Sequence, residues 1–435
     1  MELFRRRRRG RKPSSYRRGM LAAILEGIPS ILLFQLLGGP FVTGYLLYLG
    51  ASSFQVGIVL AIPSLANTLQ IIGALLIQRY SNRKLLFTML CGAHRILWVL
   101  AGVAPLLLPK EYGVGAYIVV CMLAFVGQAI GAVFWTSLIA DMVPAQVRGR
   151  YFGIRNTILW AGGCIAILVF GQLLDRLPEP QGFHVLYAVA AVCVVIDIFF
   201  FFQYPNHPFE KSEQSGTRAM LAVPFRNKAF LKSMLFIALW LFLQGISVPF
   251  FNYVMLNIMQ LGYKWIAIAT MTQNVAMMFG YYMWGNLNAR YSSRKLLFWT
   301  LPVIAASCMG WGLLSALPAI GVLLLVHILV GVGTGGFNQL MFNFVVGDTP
   351  KAERPVFIAV FYALTGMAGF LGPLLGGALY RFTAGMPQWV SLFGISLAVG
   401  TMLLIVAAVI GSAVLLDRKL GFPRKRGATE WRREG

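Results

Sequence analysis

Four places in this 435-residue chain set ionisable side chains inside long apolar runs: Glu26, the adjacent His94 and Arg95, Asp197, and His327. Desolvating a charge there costs several kcal/mol unless it is partnered, so each is a candidate for chemistry. The Glu26 carboxylate can take up and release a proton as its surroundings alternate between wet and dry; the plainer reading pairs it with a basic loop. Arg95 lies about ten residues from the basic end of its run and Asp197 about seven, which is roughly 15 and 10 Å at the helical rise. Those depths suit an interhelical ion pair, with Glu26 as the rival partner for Arg95. His327 is either a proton carrier or donor to a solute, or a neutral imidazole held by a backbone carbonyl.

Amides supply a second set of polar points: Gln35, Gln128, Gln244, Asn252, Gln273, Asn274, Asn338, Gln339 and Asn343. They can contact a solute in a cavity or glue helices together at about 0.6 kcal/mol each. Aromatic and methionine residues are dense nearby, at Trp240, Phe250, Phe251, Tyr253, Met271, Met277, Met278, Tyr281 and Tyr282, and form either an apolar solute pocket or ordinary packing. No nucleophile–base set, paired catalytic carboxylates or phosphate-cradling loop occurs at workable spacing, so no enzyme activity is expected. Gly331-Val-Gly333-Thr-Gly335-Gly336 satisfies a dinucleotide pattern, yet it follows no strand, and close helix packing explains it better. The five cysteines, Cys91, Cys121, Cys164, Cys193 and Cys308, all sit in apolar runs without metal spacing and read as small buried hydrophobes. No metal or cofactor is implied.

The elements that position these residues follow from composition. The chain is 58% hydrophobic and 12% charged, yet carries a formal net charge of +23. The basic residues crowd into short blocks between apolar runs, which excludes a water-soluble globule and a disordered basic protein and leaves a polytopic all-α membrane protein. Twelve helices are expected at 20–48, 54–78, 85–108, 114–140, 152–174, 183–204, 230–256, 265–287, 295–316, 319–345, 356–380 and 387–416, with bends at Pro29, Pro40, Pro249 and Pro302. The first apolar run is too long for a cleaved signal peptide. With both termini placed in the cytoplasm, 32 of the 37 basic residues fall on that side. Four fall outside (Lys110, Arg176, Lys264, Arg381), and Arg95 lies within a span. That bias obeys the positive-inside rule, and one miscounted helix would invert every later loop. The basic run Arg5–Arg9 reads as an anchor to anionic headgroups of the plasma membrane, with no nucleic-acid partner expected.

The polar stretch 205–229 divides the chain into halves at 20–204 and 230–416, flanked by basic tails at 1–19 and 417–435. The halves repeat: nine of twelve residues are identical between 79–90 and 290–301, beginning Arg79-Tyr-Ser-Asn-Arg-Lys and Arg290-Tyr-Ser-Ser-Arg-Lys. A weaker echo pairs Asp141-Met-Val-Pro…Arg148 with Asp348-Thr-Pro…Arg354. Parallel repeats of six helices belong to a known transporter architecture.

In these features the chain resembles the major facilitator superfamily, over its whole length. The loops after helices 2 and 8 are similar to the superfamily's loop signature in Arg79, Arg83 and Lys84, and in Arg290, Arg294 and Lys295. They depart from it in lacking the acid, since Gln78 and Ala289 stand there. The resemblance implies that these residues latch a cytoplasmic gate, with Asp141 and Asp348 as substitute anions for the arginines. Gly366…Gly369…Gly372-Pro373…Gly376-Gly377 resembles the family's antiporter glycine motif but lies in helix 11 instead of helix 5. The helix 4 arginine of proton antiporters is absent, and Gln128 is the strongly polar residue deep in that span. By the same resemblance helices 1 and 10, with Glu26 and His327, line the cavity, while helices 3 and 6 are supports. The function implied is monomeric secondary active transport of a small organic solute by alternating access: proton-coupled export of an amphipathic compound, with uptake of a polar solute such as a sugar as the alternative. A membrane sensor or lipid-handling protein on the same fold is the rival of another class.

Overall fold

A computed structural model of the protein describes residues 15–80, 82–143, 145–206, 224–288, 290–347 and 354–416. Backbone alone is described at 15, 74, 78, 140, 145–150, 153, 229, 342–347, 354–356 and 359. Regular structure among the described residues is entirely helical and falls into twelve successive rods. The first six are α1 (Ser15–Leu36, then Gly39–Tyr48), α2 (Ser53–Asn67, then Gln70–Arg79), α3 (Arg83–Val103), α4 (Lys110–Met142), α5 (Ala145–Arg176) and α6 (Gln181–Phe201). The last six are α7 (Lys228–Ser247, prolonged through Val254–Ile258), α8 (Tyr263–Asn288), α9 (Ser293–Gly310), α10 (Ala319–Gly347), α11 (Arg354–Phe382) and α12 (Val390–Gly394, Ile395–Val406 and Ala407–Leu416).

Eleven of these rods are long and apolar enough to cross a membrane. The remaining one, α8, has the length at 26 residues but is interrupted by Thr270, Thr272, Gln273, Asn274, Asn286 and Asn288. Helices are the form such apolar segments take, because each satisfies its own backbone groups where no water can. The outer surface is apolar as well: Val195 is 70% exposed, Phe199 60% and Val409 65%. Water would drive such faces together, whereas hydrocarbon solvates them. All five cysteines are buried and free.

Local sequence sets the helix ends. In the repeated Arg-Tyr-Ser motif the chain turns and then caps a helix: Leu85 N donates to Asn82 Oδ1 at 3.1 Å, and Lys295 N to Ser292 Oγ at 3.4 Å. Ser52 and Gln55 form a capping box at the start of α2. Of the four prolines expected to bend spans, Pro40 and Pro249 stand where α1 and α7 break, whereas Pro29 and Pro302 lie inside continuous helices. At Pro40 the break is enabled by Gly39, whose φ of +52° is open to glycine at little cost. Pro29 and Pro302 have no such neighbour and merely forgo a backbone hydrogen bond. The two breaks are repeat-related: Gln35, Pro40 and Phe41 recur as Gln244, Pro249 and Phe250.

Glycines let certain helices touch backbone to backbone. Gly331 and Gly335 of α10 face the α8 carbonyls of Gln273 and Met277, and Gly280 of α8 faces Val332. The dinucleotide-like glycine string is therefore a packing surface. Across the chain's own repeat, α2 and α11 meet in the same way, with Gly57 against Pro373 and Gly377 against Ser53. Successive rods reverse direction, so Tyr16, Asn206, Pro224 and Leu416 lie at one end of the bundle, called here the terminal end, and Ser53, Asp175 and Tyr263 at the far end.

Candidate functional site

Four of the buried charges gather in one network within the first six helices. Arg95 on α3 donates through Nε to Asp197 Oδ2 on α6 at 2.6 Å and through Nη2 to Ser30 Oγ on α1 at 2.5 Å. Glu26, one turn before Ser30, accepts from Tyr204 Oη at 3.1 Å and lies 3.8 Å from Arg155 Nη2 on α5. Trp135 Nε1 donates to Tyr204 Oη at 3.2 Å, Arg155 Nε donates to Ala23 O at 3.0 Å, and the Arg155 guanidinium lies 5.4 Å from the Trp135 ring centre. Two carboxylates and two guanidiniums thus balance across α1, α3, α5 and α6, with Asp197 fully buried and Glu26 nearly so. Toward the terminal end Tyr151 Oη donates to Met20 O at 2.9 Å, and burial pushes that hydroxyl up to about 12, which keeps it a donor.

Arg155 is one of the 32 basic residues that the sequence assigns to the cytoplasmic side. It instead lies within α5, whose helix begins at Ala145, and so belongs to the buried network. His94, beside Arg95, faces away toward α4: its Nδ1 sits 3.0 Å from Ala124 O and its ring packs on Trp98 and Phe125. His327 likewise satisfies Nδ1 with Leu323 O of its own helix at 2.7 Å and packs on Phe251. His327 does not border the cavity described next.

A cavity of about 320 Å³ lies between the halves, bounded by α2 on one side and α7, α10 and α11 on the other. Its polar lining is Ser64, Asn67, Gln244 and Thr365, its aromatic lining Phe361 and Tyr362, and no charged residue among those described borders it. Gln244 Oε1 is shielded from solvent and has no hydrogen-bond partner among the described residues. Of the amides named from sequence, Gln244 reaches this cavity and the others do not. Gln35 is buried against Gly163 of α5, Gln339 lies beside Gly285 of α8, and Asn274 is buried on α8. Gln128, Asn252 and Gln273 are half-buried and Asn338 is exposed; the Asn343 side chain lies outside the described residues. The aromatic cluster of helices 7 and 8 does not line the cavity either. Trp240, Phe250, Phe251 and Tyr253 are core residues, with Phe250 stacked on Tyr380 at 5.0 Å and Phe251 tilted against Trp311 at 4.9 Å, while Tyr282 is 72% exposed. Ser64, Asn67 and Thr365 were missed; a polar side chain inside an apolar stretch was their one sequence signal.

The far end of the seam between the halves is tied. Asp175, at the end of α5, accepts through its two oxygens from Tyr263 N at 2.7 Å and Lys264 N at 2.8 Å, the first amides of α8. Ser53 Oγ donates to Gly377 O at 3.0 Å, and Tyr263 packs against Phe41 and Phe183 of the first half. A carboxylate on two free N–H groups at a helix N-terminus is favoured by both hydrogen bonding and the helix dipole.

At the terminal end, Arg83 is fully buried and donates through Nη1 to Asp141 Oδ2 and Ser137 Oγ, both at 2.6 Å. Lys84 Nζ donates to Phe202 O at 2.9 Å, and Lys295 lies 5.7 Å from the Tyr291 ring centre. Arg79 and Arg290 are exposed and Arg294 half-buried. The Arg148 and Arg354 side chains and all of Asp348 lie outside the described residues, so the second-half counterpart of the Arg83–Asp141 pair does too.

Residues 27–373 match the family described as Major Facilitator Superfamily. An uncharacterized MFS-type transporter of Mycobacterium tuberculosis is 26% identical over 150 residues, which is 34% of this chain and 25% of that relative, so the match spans a quarter of the relative's length. Similar solved structures include a point mutant of the nucleoside transporter NupG, with a TM-score of 0.74 at 14% identity over 91% of this chain and 99% of that one. A bacterial homolog of the human lysosomal transporter Spinster, in an inward-facing unoccupied conformation, has a TM-score of 0.72 at 14% identity, covering 95% of this chain and all of that one. A D-xylose–proton symporter has 0.70 at 13% identity over 91% and 97% of the two chains. At such identities the likeness is one of fold, but the family match covers most of the sequence, and the helical repeat and inter-half cavity agree with it: the chain belongs to the Major Facilitator Superfamily.

Proposed function

We propose that this protein is a secondary active transporter that carries a small organic solute across the plasma membrane by alternating access. Residues 20–204 and 230–416 act as two rocking halves of a monomer, joined by 205–229, with both termini cytoplasmic. The observation that carries the reading is the seam between the halves: hydrogen bonds and aromatic contacts tie them at the far end, and a cavity lies between them at mid-depth. With the termini inside, that is a chain closed to the exterior.

Proton-coupled export of an amphipathic compound is the finer form of this proposal. Its support is the lining of the cavity, mostly apolar with a few uncharged polar groups. Glu26 is the coupling group. Its link to Arg155, at 3.8 Å, is the loosest in the charged network, and protonation would release that guanidinium while the 2.6 Å Arg95–Asp197 pair stays intact. The Arg83–Asp141 pair stands in for the acid missing from the loop signature and serves the cytoplasmic gate.

The test is uptake and efflux of fluorescent amphipathic dyes and radiolabelled sugars in proteoliposomes, with and without an imposed pH gradient. Dye movement driven by the gradient supports the export reading, and sugar accumulation would replace it with polar-solute uptake. Glu26→Gln is expected to abolish gradient-driven accumulation while leaving solute exchange, and His327→Gln to keep both. Wild-type coupling in Glu26→Gln would remove Glu26 from the mechanism, and loss of coupling in His327→Gln would bring His327 into it. No flux of any probe would favour the sensor or lipid-handling reading.

A further inference from the structure

We infer that the cavity between α2, α7 and α11 binds an uncharged, partly apolar solute through an N–H or O–H donor delivered to Gln244, with Asn67 of the opposite half as a second contact. The inference rests on the transport reading above and specifies the chemical class of solute. Three observations carry it.

First, no charged residue among those described borders the cavity. A charged solute would lose its hydration there without a counter-ion, a cost that excludes ions far more strongly than a missing contact would. Second, Gln244 borders the cavity, and its Oε1 is shielded from solvent with no hydrogen-bond partner among the described residues. A buried acceptor left unmade is costly, so a solute that donates to it recovers that loss on binding. The remaining polar capacity is partly used by the protein itself: Thr365 Oγ1 donates to Phe361 O at 2.7 Å, and Asn67 Oδ1 accepts from Gln70. This leaves Gln244 as an acceptor, the Asn67 amide NH₂ as a donor, and the Ser64 and Tyr362 hydroxyls able to serve as either. Third, Phe361, Tyr362 and the neighbouring aliphatic side chains make up most of the wall, which suits the flat or apolar part of a solute.

The repeat does not build this site twice. Gln35, the counterpart of Gln244, also has an unpartnered amide nitrogen, but it is packed into the contact between α1 and α5 beside Gly163. The site is therefore shared between the halves: Gln244 of α7 and the aromatic wall of α11 face Asn67 of α2. A solute held so touches both halves, and its binding free energy is available to bias their rocking.

The test is equilibrium binding to the purified full-length protein in detergent, which needs neither gradient nor flux and so can fail independently of the transport assay. The probes are 4-nitrophenyl glucoside (neutral, aromatic, with hydroxyl donors), 4-nitrophenyl phosphate (its anionic relative) and tetraphenylphosphonium (a cation). Saturable binding of the neutral probe, at least roughly tenfold tighter than either charged one, is expected. Gln244→Leu should weaken it by roughly five- to tenfold, the loss of one buried hydrogen bond. Asn67→Leu, on the other half, should weaken it as well, with thermal unfolding of both variants showing intact protein. Absence of saturable neutral binding up to the solubility limit, equal binding of a charged probe, or indifference to Gln244→Leu would each overturn the proposal. Retained flux with any of these results would leave alternating access standing and place the solute elsewhere.

Discussion

At the scale of single residues, the buried charges divide by what surrounds them. Arg95 and Asp197 form a short pair inside the first half, deep enough that neither can be removed alone without leaving the other uncompensated. Arg95→Ala or Asp197→Ala is therefore expected to cost about 3–5 kcal/mol of stability. Exchanging the two charges in one double variant should recover part of that loss, read by thermal unfolding in detergent. A double variant no better than the singles would show that the two do not act as a pair. Gln35 and Gln244 make the same point for amides, since identical residue types at repeat-related positions end in a helix contact and in a cavity wall. Periodicity could place both on long apolar helices, but which neighbour each would meet depends on helix rotation, and neither helix has a strongly one-sided apolar face.

At the scale of elements, the junction of α5 and α8 is where a local rule serves a global end. The N-terminus of α8 needs an acceptor for its first amides, and Asp175 supplies it from the other half of the protein. Asp175→Asn weakens a charge-assisted contact to a neutral one. The expected result is faster labelling of a cysteine introduced at Ser53 by a membrane-impermeant thiol reagent added at the far end, with little change in the unfolding temperature. Unchanged labelling would mean that the glycine contacts of α2 and α11 alone hold that end shut. Those contacts were legible only as a glycine string: Gly366 to Gly377 resembled an antiporter motif displaced into helix 11. The structure makes its far-end members a surface on which α2 and α7 rest.

At the scale of the whole molecule, two six-helix units share a seam with a cavity inside it. If rocking of the halves is the transport step, a cross-link at the tied end should stop it. Asp175→Cys with Gly262→Cys sets two thiols across the seam, since a side chain at Gly262 would meet the Asp175 carboxylate at 3.2 Å. Oxidation of this double variant is expected to abolish solute flux in proteoliposomes, and reduction to restore it. Undiminished flux in the oxidised protein would exclude opening at this end.

The sequence by itself determined the class of the protein, the number and order of its helices and the duplication of the chain. These depend on properties that accumulate along a segment: length of an apolar run, sign of the charge between runs, and identity between 79–90 and 290–301. It also named Glu26, Arg95 and Asp197, because a charge in an apolar run is conspicuous whatever the fold. Tertiary structure alone decided that Arg155 joins that network, that His327 turns to its own helix, and that the cavity is lined by Ser64, Asn67, Gln244 and Thr365. The physical reason is that a cavity is the space left between helices. Its walls are set by rotation and tilt, which in an apolar bundle are chosen by close packing among many nearly equivalent faces and are not written in any one helix.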